Sequence, residues 1–282
     1  MQGSKIQWIN RGITLCIALL LVAPIAIAVI MSFTASDSLR FPPKGFSFQW
    51  YEAVVNEPKW QERVPVSLEV AVVSSLLATA LSTLAAFSLV RSNIRGKGLI
   101  SALFIAPLIV PIVVLGSGDF FVWARGWSLG PFSFGGRLVG TVSGLVMAHT
   151  VIAIPYPFIT VRTSLNNVDP LLELAARNLG AHPLKAFRTI TLPLIMPGVL
   201  SGLIFAFIAS WDEVVIASFL STSRVSTVPV QIFNQLRDSL DPSAAALSTL
   251  LLAASACLIG LLALVRKNQN PAGKIEKGER AS

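Results

Sequence analysis

Six apolar runs, each long enough to cross a bilayer, constrain this chain more than anything else in its sequence. A membrane-spanning helix needs roughly 20 mostly apolar residues. The runs lie at residues 12–33, 66–90, 99–116, 140–161, 192–211 and 244–265. Little is left between them for a soluble domain. The expected fold is an all-α membrane protein: six transmembrane helices in a single domain over residues 1–282, ending in a flexible tail at 266–282. The first run exceeds the roughly 7–15-residue apolar core of a cleaved signal, so it is expected to stay as an anchor helix.

Charge supports this reading. The chain is 54% hydrophobic and 13% charged, against about 25% charged in a typical soluble domain. The net charge of +8 would suggest nucleic acid on a soluble protein, but here the basic residues fall in the loops between apolar runs. With the N-terminus in the cytoplasm, that side takes Lys5, Arg11, Arg91, Arg95, Lys97, Arg162, Arg177, Lys185, Arg188 and the whole basic tail, fourteen lysines and arginines in all. The far side takes eight. The positive-inside rule then puts both termini in the cytoplasm of a multi-pass inner-membrane protein. The partner the charge implies is the lipid bilayer, not nucleic acid.

The residues of catalysis are sparse. Cys16 and Cys257 lie inside apolar runs, and His149 and His182 are far apart in sequence. Neither a disulfide nor a metal site is expected, because metal ligands need more donors at closer spacing. Both histidines read as structural, His149 with no partner nearby in the sequence. No GxxxxGK[ST] loop is present, so ATP is not expected to bind by that route. The chain is expected to carry no enzymatic activity and no cofactor.

Within the runs, Pro24, Pro107, Pro111, Pro155, Pro157 and Pro197 each remove a backbone donor and tend to kink a helix. Gly198, Gly202, Ala206 and Ser210 recur at four-residue spacing in the fifth run, which puts a small-residue face where another helix can approach closely. Either this chain or a second one could supply that helix. Aromatics gather in two outer loops, Phe46 to Trp60 and Phe120 to Phe134. An interfacial belt and a docking surface both fit them.

Acids inside apolar sequence are costly and often mark a solute path. Asp212 and Glu213 follow Trp211 at the end of the fifth run and are themselves followed by apolar residues. On a continuous helix Glu213 falls on the small-residue face, near Gly202. A path for a cationic solute, with Trp211 as an aromatic neighbour, and an acid paired with a neighbouring chain's arginine are both open. Asp119 and Glu69 are weaker candidates, being closer to loops.

The segment 169–193 carries the most information. Asp169-Pro170 is a helix start. Leu171, Leu172, Ala175, Ala176 and Leu179 follow at helical spacing, beside Glu173, and Gly180 supplies the stop. A second short helix is expected from Pro183, with Leu184, Phe187 and Ile190 on one side and Lys185 and Arg188 on the other. Leu192 and Pro193 then return the chain to the membrane. Such an amphipathic helix must bury its apolar face against lipid or against a partner.

Ala175, Ala176, Gly180, Ile190, Leu192 and Pro193 match the Glu-Ala-Ala, Gly, Ile, Leu-Pro motif of binding-protein-dependent ABC importer permeases, which this chain resembles. One position departs: Leu174 stands where the family has glutamate, with Glu173 one residue earlier. The segments FSFQWYEAVV and SWDEVVIASFLS resemble the second permease subunit of the polyamine (putrescine/spermidine) branch. The resemblance implies a permease that forms the path for a small solute, polyamine first, with thiamine, ferric iron or another small organic cation as alternatives. It implies a related, non-identical second permease chain, two ATPase subunits that hold the ATP and Mg, and a periplasmic solute-binding protein. It assigns Leu171 to Gly180 and Leu184 to Pro193 to ATPase coupling. An ion-driven secondary transporter would predict internal repeats, and no clear repeat is present.

Overall fold

The computed structural model describes residues 2–129, 131–134, 136–238 and 241–268. In chain order the helices are α1 (Gln2–Met31), α2 (Gln49–Asn56), α3 (Pro58–Arg91), α4 (Lys97–Ile105), α5 (Ile112–Arg125), α6 (Val142–Ala153), α7 (Pro155–Asn166), α8 (Pro170–Asn178), α9 (Pro183–Ala186), α10 (Leu192–Trp211), α11 (Val215–Leu220), α12 (Val228–Asp238) and α13 (Pro242–Asn268). A 3-10 turn, Ala106–Leu108, follows α4, and a π-helical turn, Phe187–Thr191, joins α9 to α10. The all-α expectation needs one amendment. Strands β1 (Trp127–Leu129) and β2 (Phe132–Phe134) pair antiparallel and form the one sheet among the described residues.

Among the described residues three helices are long and apolar enough to cross a membrane: Asn10–Met31 within α1, α3, and the continuous stretch Pro183–Trp211. Counting each of two bent helix pairs as one span brings the number to five. The sixth expected run falls in α13, whose apolar described part is the shorter Pro242–Cys257.

The run expected at 99–116 is not one straight span. α4 and α5 meet at 100°. Pro107 and Pro111 both lack the N–H that would carry the helix forward. The chain tightens into the 3-10 turn, then restarts with Pro111 as the residue before α5. The run at 140–161 is also bent, by 42° between α6 and α7. Pro155 has no N–H to donate there, and the Ile154 carbonyl, which accepts from the Phe158 N–H at 3.2 Å, also accepts from the Ser82 hydroxyl of α3 at 2.8 Å. α10 has the limits expected of the fifth run.

The described residues divide into two compact units. One comprises residues up to Gln61 with Ile232–Cys257. In it Phe33, Phe48 and Tyr51 pack ring on ring, with centroids 5.1 to 6.1 Å apart. The Trp50 indole donates to the Thr34 carbonyl at 2.8 Å. Part of the first aromatic loop is thus folded on itself, while Phe46 and Phe48 stay exposed. The apolar side chains of α1 are exposed along nearly its whole length.

The other unit, built on Glu62–Gln231, contains both candidate sites. Small side chains on α3 (Ala71, Ser74, Ala78, Ser82, Ala86) recur every three or four residues and are buried. That spacing lines one helical face. An apolar cluster of Val70, Leu145, Ile216, Ala217 and Leu220 lies toward the start of α3, and one of Leu89, Phe158, Val161, Leu165 and Ile195 toward its end. α10 packs on α7 through its small face. A side-chain carbon added at Gly202 would meet Pro157 and the Thr160 hydroxyl at 2.5 Å, and one at Gly198 would collide with Ser164. Gly198, Gly202 and Ala206 are buried against this chain's own helices, so that face is not open to a second chain.

Candidate functional site

Two places in the second unit stand out. The first is the segment from α8 to the start of α10. Pro170 opens α8, and the Asp169 carboxylate accepts from the Leu171 N–H at 2.9 Å. At the other end the Ala181 N–H donates to the Ala176 carbonyl and the Gly180 N–H to the Arg177 carbonyl, the pairing of a Schellman stop. Gly180 has φ +87°, with open space where a side chain would sit. Glycine is needed there for its backbone angle, not for room.

This short helix exposes its leucines: Leu171 is 64% exposed, Leu174 50% and Leu179 90%, with Leu184 just beyond at 62%. Leu172 is exposed as well. Ala175 is exposed and Ala176 half-buried. Glu173, the one carboxylate within α8, turns inward, where Arg91, the last residue of α3, reaches its Oε1 at 2.9 Å. A second Arg91 nitrogen donates to the Val168 carbonyl at 3.0 Å. One arginine therefore fixes the base of α8 while the apolar side stays outward. Both ends of the pair are partly shielded from water, so it exceeds a fully solvated pair in value, which is typically worth under about 1 kcal/mol.

The expected second short helix does not stand alone. α9 runs through the π-turn into α10, giving one continuous helix from Pro183 to Trp211. The wider turn absorbs the missing N–H of Pro193, where a regular α-turn would break. Phe187 packs edge-on to Phe87 at 4.7 Å, and Ile190 and Leu192 are half-buried. Lys185 and Arg188 are exposed.

The second place is the break between α10 and α11. The continuous-helix placement of Glu213 is not what the structure has. α10 stops at Trp211 and α11 starts at Val215, with Val214 at its N-cap position; Glu213, one residue earlier, supplies the side chain that caps it. Its two carboxylate oxygens accept from the Ile216 and Ala217 N–H groups, each at 2.8 Å. These are the donors a helix start leaves unpaired, and a carboxylate suits them. Glu213 is buried and occupied. Asp212, its neighbour, is exposed, and among the described residues no basic side chain reaches it. The Trp211 ring stacks on Phe207 at 5.6 Å, with its indole nitrogen buried and unpaired. The acids that look equivalent in sequence have different tasks: one holds a helix, the other is free.

His149 reads from the sequence as structural, with nothing nearby in the chain to partner it. It is fully buried, with Nδ1 2.8 Å from the Ser210 hydroxyl and Nε2 3.7 Å from Glu213 Oε2. Sequence reading misses it because its partners lie more than sixty residues away. Asp119 is half-buried on α5, and Glu69 is exposed. Among the described residues no group of three or more histidines, cysteines or acids could hold a metal.

Among its described residues the second unit joins long apolar helices to an amphipathic segment that turns leucines outward. A chain of the bacterial alginate ABC transporter, solved in complex with alginate pentasaccharide-bound periplasmic protein, shares the fold. Its TM-score is 0.73 at 15% identity, and the match covers 93% of this chain and 94% of that one. The profile of the family described as "Binding-protein-dependent transport system inner membrane component" matches residues 78–270, and the chain belongs to that family. Among its relatives is the putrescine transport system permease protein PotI of Escherichia coli (strain K12), 34% identical over 245 residues, 86% of this chain and 85% of that protein. The spermidine/putrescine transport system permease protein PotC of Haemophilus influenzae is 32% identical over 251 residues, 89% and 93% of the two chains. The chain is accordingly a permease subunit of an ABC importer and a component of the inner membrane.

Proposed function

We propose that this permease imports polyamines. The observation that carries the reading is the likeness, over 86% to 89% of the chain, to permeases of putrescine and spermidine systems. The exposed Asp212 beside Trp211 supports it. An extended polycation needs a carboxylate and an aromatic face on its route, and Glu213 is already committed to α11. Asp212 is thus the acid assigned to the solute path.

The chain crosses the membrane six times, with both termini in the cytoplasm. It works beside a related, non-identical permease chain, two ATPase subunits that bind ATP and Mg, and a periplasmic solute-binding protein. The exposed leucines of α8, with Leu184, seat in the ATPase. Closure of the ATPases pushes this seat. The continuous helix from Pro183, roughly 43 Å long at 1.5 Å per residue, carries the movement to the acid break at its far end.

The test is uptake in vesicles that hold the purified complex, driven by internal ATP. Labelled putrescine and spermidine should enter, and thiamine and ferric iron should neither enter nor compete. Uptake of thiamine or iron in place of polyamine would overturn the cargo. Uptake that runs on an ion gradient without ATP would overturn the importer mechanism.

A further inference from the structure

Ser74, His149 and Ser210, from three helices, meet Glu213 at the α10–α11 break, and the proposed function uses none of those three. The Ser74 hydroxyl of α3 donates to the Ser210 hydroxyl of α10 at 2.9 Å. Ser210 Oγ lies 2.8 Å from His149 Nδ1 on α6. His149 Nε2 faces Glu213 Oε2 across 3.7 Å and has no other partner. Exposure is 0% at Ser74 and His149, 4% at Ser210 and 5% at Glu213.

Polar groups this deep are retained only where they are bonded to something that matters to the structure. An apolar residue would fill the place of His149 more cheaply, for it stands against Leu145, Val146 and Ile152 of the same buried helix. What the imidazole does that no apolar side chain can do is address both sides of the break. Its first nitrogen meets Ser210, in the last turn of α10. Its second faces Glu213, the cap of α11. Asp212 lies between those two residues in sequence. The bond to Ser210 and the close approach to Glu213 hold both sides of the break against a third helix and leave Asp212 few directions in which to project.

We infer that His149 is a positioning residue: through Ser210 and Glu213 it sets the geometry of the helix break and so the placement of the Asp212 carboxylate. The role of Asp212 in meeting cargo rests on the function proposed above, but the positioning of the break does not.

The experiment reads the break directly. Cys16 and Cys257, both exposed, are replaced by serine, and D212C is introduced in the full complex in native membranes. The labelling rate at 212 by a small water-soluble thiol reagent is measured with and without ATP and Mg. N93C, in the exposed loop between α3 and α4, serves as the reference position. H149L should change the rate at 212 by about threefold or more, as a locally loosened segment would, and leave the rate at 93 unchanged. H149N, which keeps a polar group at the Nδ1 position, should restore most of the original rate at 212.

Equal rates at 212 in the parent and H149L would overturn the inference. So would parallel changes at 212 and 93, which would mean general loosening. If H149L does not assemble, S210A removes the same link with a smaller change, and an unchanged rate at 212 in S210A overturns the inference equally. Cargo is judged separately, by polyamine uptake in D212N with His149 intact. Normal uptake there removes Asp212 from the solute path and leaves the labelling result standing.

Discussion

The two candidate sites invert one another. α8 turns apolar side chains out and hides its one ion pair, whereas the α10–α11 break turns polar side chains in and surrounds them with apolar ones. A soluble surface rarely spends leucines as α8 does, with Leu179 at 90% exposure. An apolar core rarely keeps a histidine, a glutamate and two serines together, as the break does. Each violates the ordinary sorting of side chains, and such violations cost stability unless a function requires them. In the proposed function, α8 presents these leucines to a partner. The break commits Glu213 to capping α11 and leaves its neighbour Asp212 exposed.

That contrast predicts a ranking of effects. Deleting residues 171–179 should abolish uptake and copurification of the ATPase while the chain still inserts into the membrane. Persisting copurification would show that the exposed leucines are not the seat. Next comes Gly202→Leu, which forces a side chain into Pro157 and Thr160. Overpacking of this kind costs about 3 kcal/mol, and thermal unfolding in detergent should show it as a clear drop in midpoint. An unchanged midpoint would mean that α10 and α7 are not packed as described.

Glu213→Ala leaves the Ile216 and Ala217 N–H groups without acceptors, a loss of about 2 kcal/mol. Glu213→Gln, which keeps an oxygen acceptor, should recover part of it. Equal losses in the two variants would argue against a capping role. Smallest is Arg91→Ala. It removes the contact with Glu173 and the Val168 carbonyl at about 1 kcal/mol, and should lower uptake a few-fold without displacing the ATPase. A full loss of ATPase binding in that variant would make Arg91 part of the docking surface itself.

The same contrast explains what the sequence revealed. α8 is specified by neighbours: Asp169 and Pro170 start it, Gly180 ends it, and its leucines repeat at helical spacing, all within a dozen residues. The limits of α10 were likewise visible in its apolar run. The break was not. No proline or glycine stands at Trp211–Val214 to announce it. It exists because Glu213 folds back onto α11 and because His149 and Ser74 arrive from helices distant in the chain. The bend between α4 and α5 falls between these cases. Pro107 and Pro111 mark its place in the sequence, but the packing of Gly116 against Phe219 and Ile216 sets where α5 goes. For Glu213, a continuous helix predicts a place on the small-residue face, whereas the side chain starts a new helix, α11.

The central claim is that the outward leucines of α8 seat in a nucleotide-hydrolysing subunit. The most direct measurement is cross-linking from L179C, in a chain lacking Cys16 and Cys257, to single cysteines placed along the surface of the copurified ATPase. A disulfide that forms at one site, and whose yield changes when ATP is added, is the predicted result. A complex that transports polyamine while L179C, and cysteines at the other exposed α8 leucines, never cross-link to the ATPase would contradict it.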